Sequence, residues 1–223
     1  MASNGKRSAD SVVVIGLGRF GGQVADSLVR LGHEVLAIDE DARLVTQWSD
    51  TLTHVAQADS TNEDALRQLG VPEFGHAVVA IGADIEASVL TVLALTELRT
   101  PTIWAKAVSA KHGKILTSVG AHHVVYPERE MGERVAHLIT TRMLDYIEFD
   151  DGYAIAKVRA PKETVGRTLS ESAPRTAHGV TVVGVKLPGA DFTHATPQTV
   201  IPSGAVLVVS GRTDLVERFA ALA

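Results

Sequence analysis

A glycine-rich segment near the start of the chain has the spacing of a phosphate-binding turn. Gly16, Gly18 and Gly21 fit the pattern G-x-G-x-x-G, directly after the β-branched residues 12–15 and directly before a helical pattern. There the first glycine permits a tight turn, the second lets a phosphate approach the backbone, and the third lets helix and strand pack closely. The N–H groups of the helix N-terminus attract an anion. We therefore predict a nucleotide site, with a purely structural glycine turn as the alternative.

Two charged residues beside this turn indicate which nucleotide it binds. Asp39 ends the second predicted strand, where a carboxylate can hydrogen-bond both ribose hydroxyls and disfavours the 2′-phosphate of NADP. Arg19 lies in the first turn of the predicted helix, where a cation opposes the helix dipole. A bound phosphate would offset that charge, and an arginine fork suits the terminal phosphates of ATP or ADP. The alternative is that Arg19 is a solvated surface residue.

A third charged residue, Asp59, follows the third predicted strand, at the sheet edge where an adenine lies in folds of this kind. Its carboxylate could accept a hydrogen bond from the adenine amino group. The alternative is that Asp59 caps the helix that begins near Ser60.

The elements that position these residues follow a regular alternation. From residue 11 to about residue 126, six short β-branched runs alternate with helical patterns, which predicts an α/β fold with a doubly wound parallel sheet, a Rossmann-type domain. From Glu128 to about Ile147, apolar residues recur on one helical face, which predicts a helix. That helix packs either on its own sheet or across to a second subunit. Strand-like runs and turns then predict a small α+β domain. The predicted division is a disordered tail at 1–10, a nucleotide-binding domain at 11–127, a crossover or dimerisation helix and hinge at 128–149, and a C-terminal domain at 150–223.

Composition excludes several classes of function. The 223 residues carry a net charge of -5, which argues against nucleic acid as a partner, and contain no cysteine, which excludes disulfides and thiolate catalysis. No apolar run approaches the roughly 20 residues that span a bilayer, so we expect a cytoplasmic protein. The nine histidines show no metal-ligand spacing, and no catalytic motif occurs. We therefore predict a binding protein and no enzyme. A small NAD-dependent oxidoreductase and an NAD(H)-sensing transcriptional regulator remain the alternatives.

Six segments, taken in order, resemble the RCK (KTN) domain. They are residues 14–22 (VIGLGRFGG), 36–39 (LAID), 58–60 (ADS), 79–84 (VAIGAD), 103–107 (IWAKA) and 126–128 (YPE). The chain is similar to KtrA-type regulatory subunits of bacterial potassium uptake systems, with TrkA as the broader relative, and its C-terminal part resembles the RCK-C domain. The resemblance implies a nucleotide-sensing subunit that gates a membrane potassium transporter.

The resemblance also implies roles for individual residues. Arg19 would contact the terminal phosphates of ATP, Lys106 would lie near the phosphates, and Glu128 would help to bind a cation (Mg²⁺, Ca²⁺ or Na⁺) between subunits. The alternative for Glu128 is a carboxylate favoured by the dipole of its own helix. The full set expected to bind ATP or ADP, with NAD(H) less favoured, is Gly16, Gly18, Arg19, Phe20, Gly21, Asp39, Glu40, Asp59, Ser60, Ala83, Asp84 and Lys106.

Further expectations from the resemblance concern other ligands and assembly. Some relatives bind cyclic di-AMP between two C-terminal domains, and Arg175 and His178 occupy the matching turn; the alternative is that both are ordinary loop residues. Dimers would assemble into an octameric ring at the inner face of the membrane, held there by a KtrB/TrkH-type transporter. One departure matters: relatives often have asparagine where Asp84 stands, and its negative charge would weaken ATP binding unless a cation compensates.

Overall fold

The computed structural model describes residues 8–223, which form two compact units, one ending at Glu128 and the other running from Arg129 to Ala223. Residues 1–7 of the predicted tail lie outside the described residues. The last three residues of that predicted tail, from Ser8 to Asp10, are instead the beginning of the first strand. Within residues 8–223, no helix combines the length and the apolar composition that crossing a bilayer requires.

The first unit is built on a parallel six-stranded sheet. Its strands are β1 (Ser8–Ile15), β2 (Glu34–Asp39), β3 (His54–Gln57), β4 (Phe74–Val79), β5 (Thr102–Lys106) and β6 (His123–Val125). They lie in the order β3-β2-β1-β4-β5-β6, which confirms the predicted doubly wound fold. The strand order reverses between β1 and β4, and ligands of such sheets bind outside the carboxyl ends of the strands at that point.

Helices cover both faces of this sheet. They are α1 (Arg19–Arg30), α2 (Ala42–Ser49), α3 (Glu63–Gln68), α4 (Ile85–Glu97) and α5 (Ala110–Ser118). Val12 and Val14 of β1 lie in a buried cluster with residues of α1 and α2. Val13 and Ile15 lie in a second cluster with residues of α3, α4 and α5. The continuous apolar run of β1 therefore reflects burial on both faces.

The helices of the first unit differ in how they begin. Asp41, Asn62, Asp84 and Ser109 accept backbone N–H hydrogen bonds as the N-caps of α2, α3, α4 and α5. Such caps satisfy N–H groups that have no partner within the helix. The N-cap of α1 is Gly18, which makes no side-chain cap. The first N–H groups of α1 thus receive no side-chain acceptor from their own N-cap.

The second unit contains a five-stranded antiparallel sheet. Its strands are β7 (Met143–Phe149), β8 (Tyr153–Arg159), β9 (Thr181–Lys186), β10 (Phe192–His194) and β11 (Val206–Arg212), in the order β10-β9-β11-β8-β7. The remaining helices are α6 (Pro127–Thr140), which begins in the first unit, α7 (Leu169–Ser172), α8 (Pro174–His178) and α9 (Thr213–Ala221). Phe219 and Val216 of α9 pack with Leu207 and Val209 of β11 in the core of this unit.

The predicted helix from Glu128 to Ile147 is wrong in its second half. Helix α6 ends at Thr140, and Met143–Phe149 forms strand β7, which pairs with β8. Met143 and Tyr146 are buried in the core of the second unit. Pairing with β8 and this burial outweigh the helical spacing of the apolar residues.

Candidate functional site

The turn between β1 and α1 is held close to the neighbouring strand. Gly16 has a φ of 92°, which favours glycine, and its amide donates to the Ile38 carbonyl at 2.8 Å. A Cβ at Gly21 would lie 1.8 Å from the carbonyl oxygen of Gly16. A Cβ at Gly18 would meet no atom of the described residues within 4 Å. Packing therefore explains the first and third glycines, whereas the second faces open space where a phosphate could approach.

Asp39, at the end of β2, accepts two backbone hydrogen bonds at this turn. Its Oδ2 accepts the Leu17 amide at 2.6 Å, and its Oδ1 accepts the Asp41 amide at 2.8 Å. A carboxylate oxygen can accept more than one hydrogen bond, so both oxygens retain capacity for ribose hydroxyls. The neighbouring Glu40 is exposed, and its carbonyl accepts a hydrogen bond from Gln57 at 3.0 Å.

Lys106 and Glu128 form an ion pair near the turn. The Lys106 Nζ lies 2.6 Å from the Glu128 Oε1, with 12% of the lysine side chain and 65% of the glutamate side chain exposed. The same ammonium lies 5.7 Å from the centre of the Phe20 ring. The hydrogen bond from Lys106 is the main reason why the pKa of Glu128 lies below its usual value, and the charge of Arg19 adds a smaller effect of the same sign. Two cations therefore act on Glu128.

Arg19 lies in the first turn of α1. It is exposed and, within residues 8–223, makes neither a hydrogen bond nor an ion pair. A groove of about 570 Å³ borders it, lined by Leu17, Gly18, Arg19, Gln23, Leu44, Gln47 and Trp48. An exposed guanidinium beside the first turn of α1 is suited to contact a phosphate bound there.

Asp59 and Ser60 are held by local hydrogen bonds. The hydroxyl and the amide of Thr61 both donate to the Asp59 Oδ1, at 2.7 and 2.9 Å, and these bonds lower the pKa of Asp59. The cap of α3 is Asn62, so Asp59 does not fill that role. Ser60 is buried, and its hydroxyl lies 2.8 Å from that of Thr91. The Ser60 side chain thus serves packing, and Asp59 remains the candidate for contact with adenine.

Asp84 has a structural use that explains a carboxylate at this position. Its Oδ1 accepts the Ala87 amide at 2.9 Å as the N-cap of α4, next to the exposed Ala83. The positive end of the helix dipole partly offsets its charge. The penalty that Asp84 imposes on a nearby phosphate is correspondingly smaller.

A cation at Glu128 would need ligands from elsewhere. Among residues 8–223, no group of three or more His, Asp or Glu side chains could hold a metal ion. Glu128 supplies one carboxylate, which Lys106 already contacts. Phosphate oxygens or a second subunit would therefore have to complete the site, and the predicted role of Glu128 stays a prediction.

The second unit places the two predicted cyclic di-AMP residues in different environments. Arg175 of α8 is exposed. The His178 Nε2 lies 2.7 Å from the Glu163 Oε1, and its ring packs against Phe219 at 5.3 Å between centroids. His178 is thus engaged with a carboxylate, which would repel a diphosphate. Cyclic di-AMP binding stays a prediction.

Sequence reasoning missed Trp48, a half-buried residue of α2. Its Nε1 donates to the Leu17 carbonyl at 2.9 Å, inside the glycine turn. A Cβ at Gly22 would lie 2.0 Å from the Trp48 ring. The doubled glycine at positions 21 and 22 was the available signal that a bulky side chain lies against α1.

Two family models and several curated proteins match most of this chain. The TrkA-N domain model matches residues 12–127, and the TrkA-C domain model matches residues 153–223. The chain is 37% identical over 207 residues to the Ktr system potassium uptake protein A of Bacillus subtilis (strain 168), covering 92% of this chain and 93% of that protein. It is 32% identical to the protein of the same name from Vibrio alginolyticus, covering 90% of this chain and 92% of that protein.

Solved structures share the fold at low identity. A GsuK channel bound to NAD matches with a TM-score of 0.66 and 20% identity, covering 96% of this chain but 39% of the channel chain. The NAD(P)-binding domain of an exopolyphosphatase-related protein from Archaeoglobus fulgidus matches with a TM-score of 0.52 and 22% identity, covering 58% of this chain and 96% of that domain.

Proposed function

Because this chain belongs to the TrkA-N/TrkA-C family, together with the Ktr potassium uptake proteins, we propose that it is the regulatory subunit of a potassium uptake system and responds to ATP and ADP. The GsuK structures include forms bound to NAD and to ADP, which supports a nucleotide ligand for this fold. The subunit acts on a membrane-embedded potassium transporter, as a homo-oligomer at the inner face of the membrane.

The observation that carries the nucleotide proposal is the uncapped start of α1 with two cations beside it. Gly18 provides no side-chain cap, Arg19 makes no ion pair in the described part of the chain, and Lys106 lies close to Phe20 of the first turn. Backbone N–H groups and two cations suit a chain of phosphates. Asp39 and Asp59 supply acceptors for the ribose and the adenine.

Discrimination between ATP and ADP then depends on contacts that only the third phosphate makes. A ligand shifts a conformational equilibrium only by the difference in its affinity for the two states. ATP reaches Arg19 with its outermost phosphate, and a cation held by Glu128 adds to that difference. The two ligands thereby favour different arrangements of the ring, and those arrangements open or close the transporter.

The test begins with the nucleotide that copurifies with the protein, which should be ATP or ADP. Calorimetry then compares wild type with Arg19→Ala. Loss of a charge-assisted contact should reduce the ratio of ATP to ADP affinity about tenfold or more, with ADP affinity affected less. Arg30→Ala is the matched control, because Arg30 ends the same helix and pairs with Asp26 at 3.1 Å. An unchanged ratio in Arg19→Ala would refute the role of Arg19.

The leading alternative, a small NAD-dependent oxidoreductase, predicts a different result. It requires NAD(H) to copurify and nicotinamide oxidation to be coupled to a substrate. Two relatives that are 37% identical to this chain are potassium uptake proteins, which favours a regulatory role over a catalytic one.

A further inference from the structure

We infer that Trp48 is a positioning residue that aims the Gly18 amide at the bound phosphates. This role rests on the nucleotide site proposed above. The indole Nε1 donates to the Leu17 carbonyl oxygen at 2.9 Å, joining α2 to a turn that lies 31 residues earlier in the chain.

The hydrogen bond matters because of the peptide group it holds. The Leu17 carbonyl and the Gly18 amide belong to one planar trans peptide, so they point in opposite directions. With the carbonyl held towards Trp48 in α2, the Gly18 N–H is directed away from α2. The preceding peptide is held as well, because the Leu17 amide donates to Asp39 at 2.6 Å. Two consecutive peptide groups of the turn are therefore fixed by side chains from two different elements.

Packing fixes the indole in turn. A Cβ at Gly22 would lie 2.0 Å from the Trp48 Cζ2 and 2.8 Å from its Nε1, so the ring occupies the space that any other residue at Gly22 would fill. Trp48 also packs with Leu17 and Ala25 in the cluster between α1, α2 and the sheet. Because packing already holds the Trp48 indole, its hydrogen bond to Leu17 costs little side-chain entropy.

The test separates positioning from general support by comparing ligands with and without phosphates. Trp48→Phe keeps an aromatic ring over Gly22 and removes the N–H donor. Calorimetry should show ADP and ATP affinities both reduced about three- to tenfold, as expected for one hydrogen bond, while adenosine binds as in wild type. Trp104→Phe is the matched control. It removes the indole that stacks on His123 with 4.0 Å between centroids, and all three affinities should be unchanged.

A second variant guards against a failure of Trp48→Phe to fold. Gly22→Ala retains the indole but displaces it from the Leu17 carbonyl, and it should produce the same phosphate-dependent loss. Equal loss of adenosine and ADP affinity in these variants, or wild-type ADP affinity, would overturn the positioning role. If wild type bound ATP and ADP with equal affinity, the proposed discrimination between them would be refuted. The ADP affinities of Trp48→Phe and wild type would still decide the role of Trp48. Absence of any adenine nucleotide binding by wild type would refute both.

Discussion

At the scale of single side chains, the proposed nucleotide site makes Glu128 a competitor of phosphate for Lys106. The Glu128 carboxylate lies 2.6 Å from the Lys106 ammonium, which a nucleotide phosphate would otherwise contact. Glu128→Gln removes the competing charge, so ADP affinity measured by calorimetry in a chelator should rise. Because Glu128 is largely exposed, the pair is weak, and the rise should be about two- to fivefold. With Mg²⁺ present, the same variant should bind ATP more weakly than wild type, because the proposed cation ligand is lost.

Glu133→Gln provides the matched control for that change. Glu133 lies on the same helix and its change removes the same charge, but its ion-pair partner is Arg129, at 3.9 Å, and not Lys106. Its ADP affinity should equal that of wild type. If Glu128→Gln weakened ADP binding in the chelator, the carboxylate would be assisting the phosphates rather than competing with them.

The sequence predicted residues of the site that belong to strand ends and turns, and missed a contact between distant elements. Asp39 and Lys106 end β2 and β5 as expected, because the carboxyl ends of parallel strands meet at one edge of the sheet. The hydrogen bond from Trp48 to Leu17 depends on how α2 packs against α1, and the doubled glycine at 21 and 22 signals a close approach there without identifying its partner.

At the scale of secondary structure, the first turn of α5 contains a buried imidazole that makes stability depend on pH. His112 is buried, its Nδ1 accepts the Val108 amide at 3.4 Å, and its Nε2 has no hydrogen-bond partner among residues 8–223. Burial lowers the pKa of His112 from its ordinary value of 6.5. Below pH 6.5, His112 therefore binds a proton more readily in the unfolded chain than in the folded protein. The free energy of unfolding decreases as the pH falls.

His112→Gln tests this dependence. Thermal unfolding between pH 7.5 and 5 should show a smaller loss of midpoint temperature on acidification than wild type, even though the variant is less stable at pH 7.5. His54→Gln makes the same chemical change on an exposed side chain and reports the effect of losing an imidazole at the surface. Parallel pH dependences for wild type and His112→Gln would show that His112 does not contribute.

Elements were predictable where a local pattern and the final packing agree. The strands of the first sheet follow from short β-branched runs, and the starts of α3 and α4 follow from Asn62 and Asp84 as caps. Strand β10 was missed because its three residues are too few to show a period. Helix α6 was extended too far because the apolar spacing continues through Tyr146, whereas β7 is set by distant pairing with β8.

At the scale of the whole molecule, α6 presents an apolar stripe that requires a partner under the proposed assembly. Met131, Val135 and Ile139 recur every fourth residue and are 54%, 44% and 77% exposed. In the same helix, Leu138 packs against the core of the second unit. Burying three such side chains between two copies would contribute several kcal/mol, at about 1.5–3 kcal/mol for each fully buried side chain. We therefore expect α6 to form the contact between subunits.

Val135→Glu combined with Ile139→Glu tests this contact about two and three helical turns beyond Glu128. Two carboxylates in an apolar interface should weaken association more than about a hundredfold, so light scattering should show a smaller particle than wild type at micromolar concentration. Leu31→Glu is the control, because Leu31 is 74% exposed at the end of α1 and its change should leave the particle unchanged. The assembly variant should still bind ADP, since Gly18, Arg19 and Lys106 are untouched. If it retained the wild-type mass, the subunits would associate through another surface, and a ring built on α6 would be excluded.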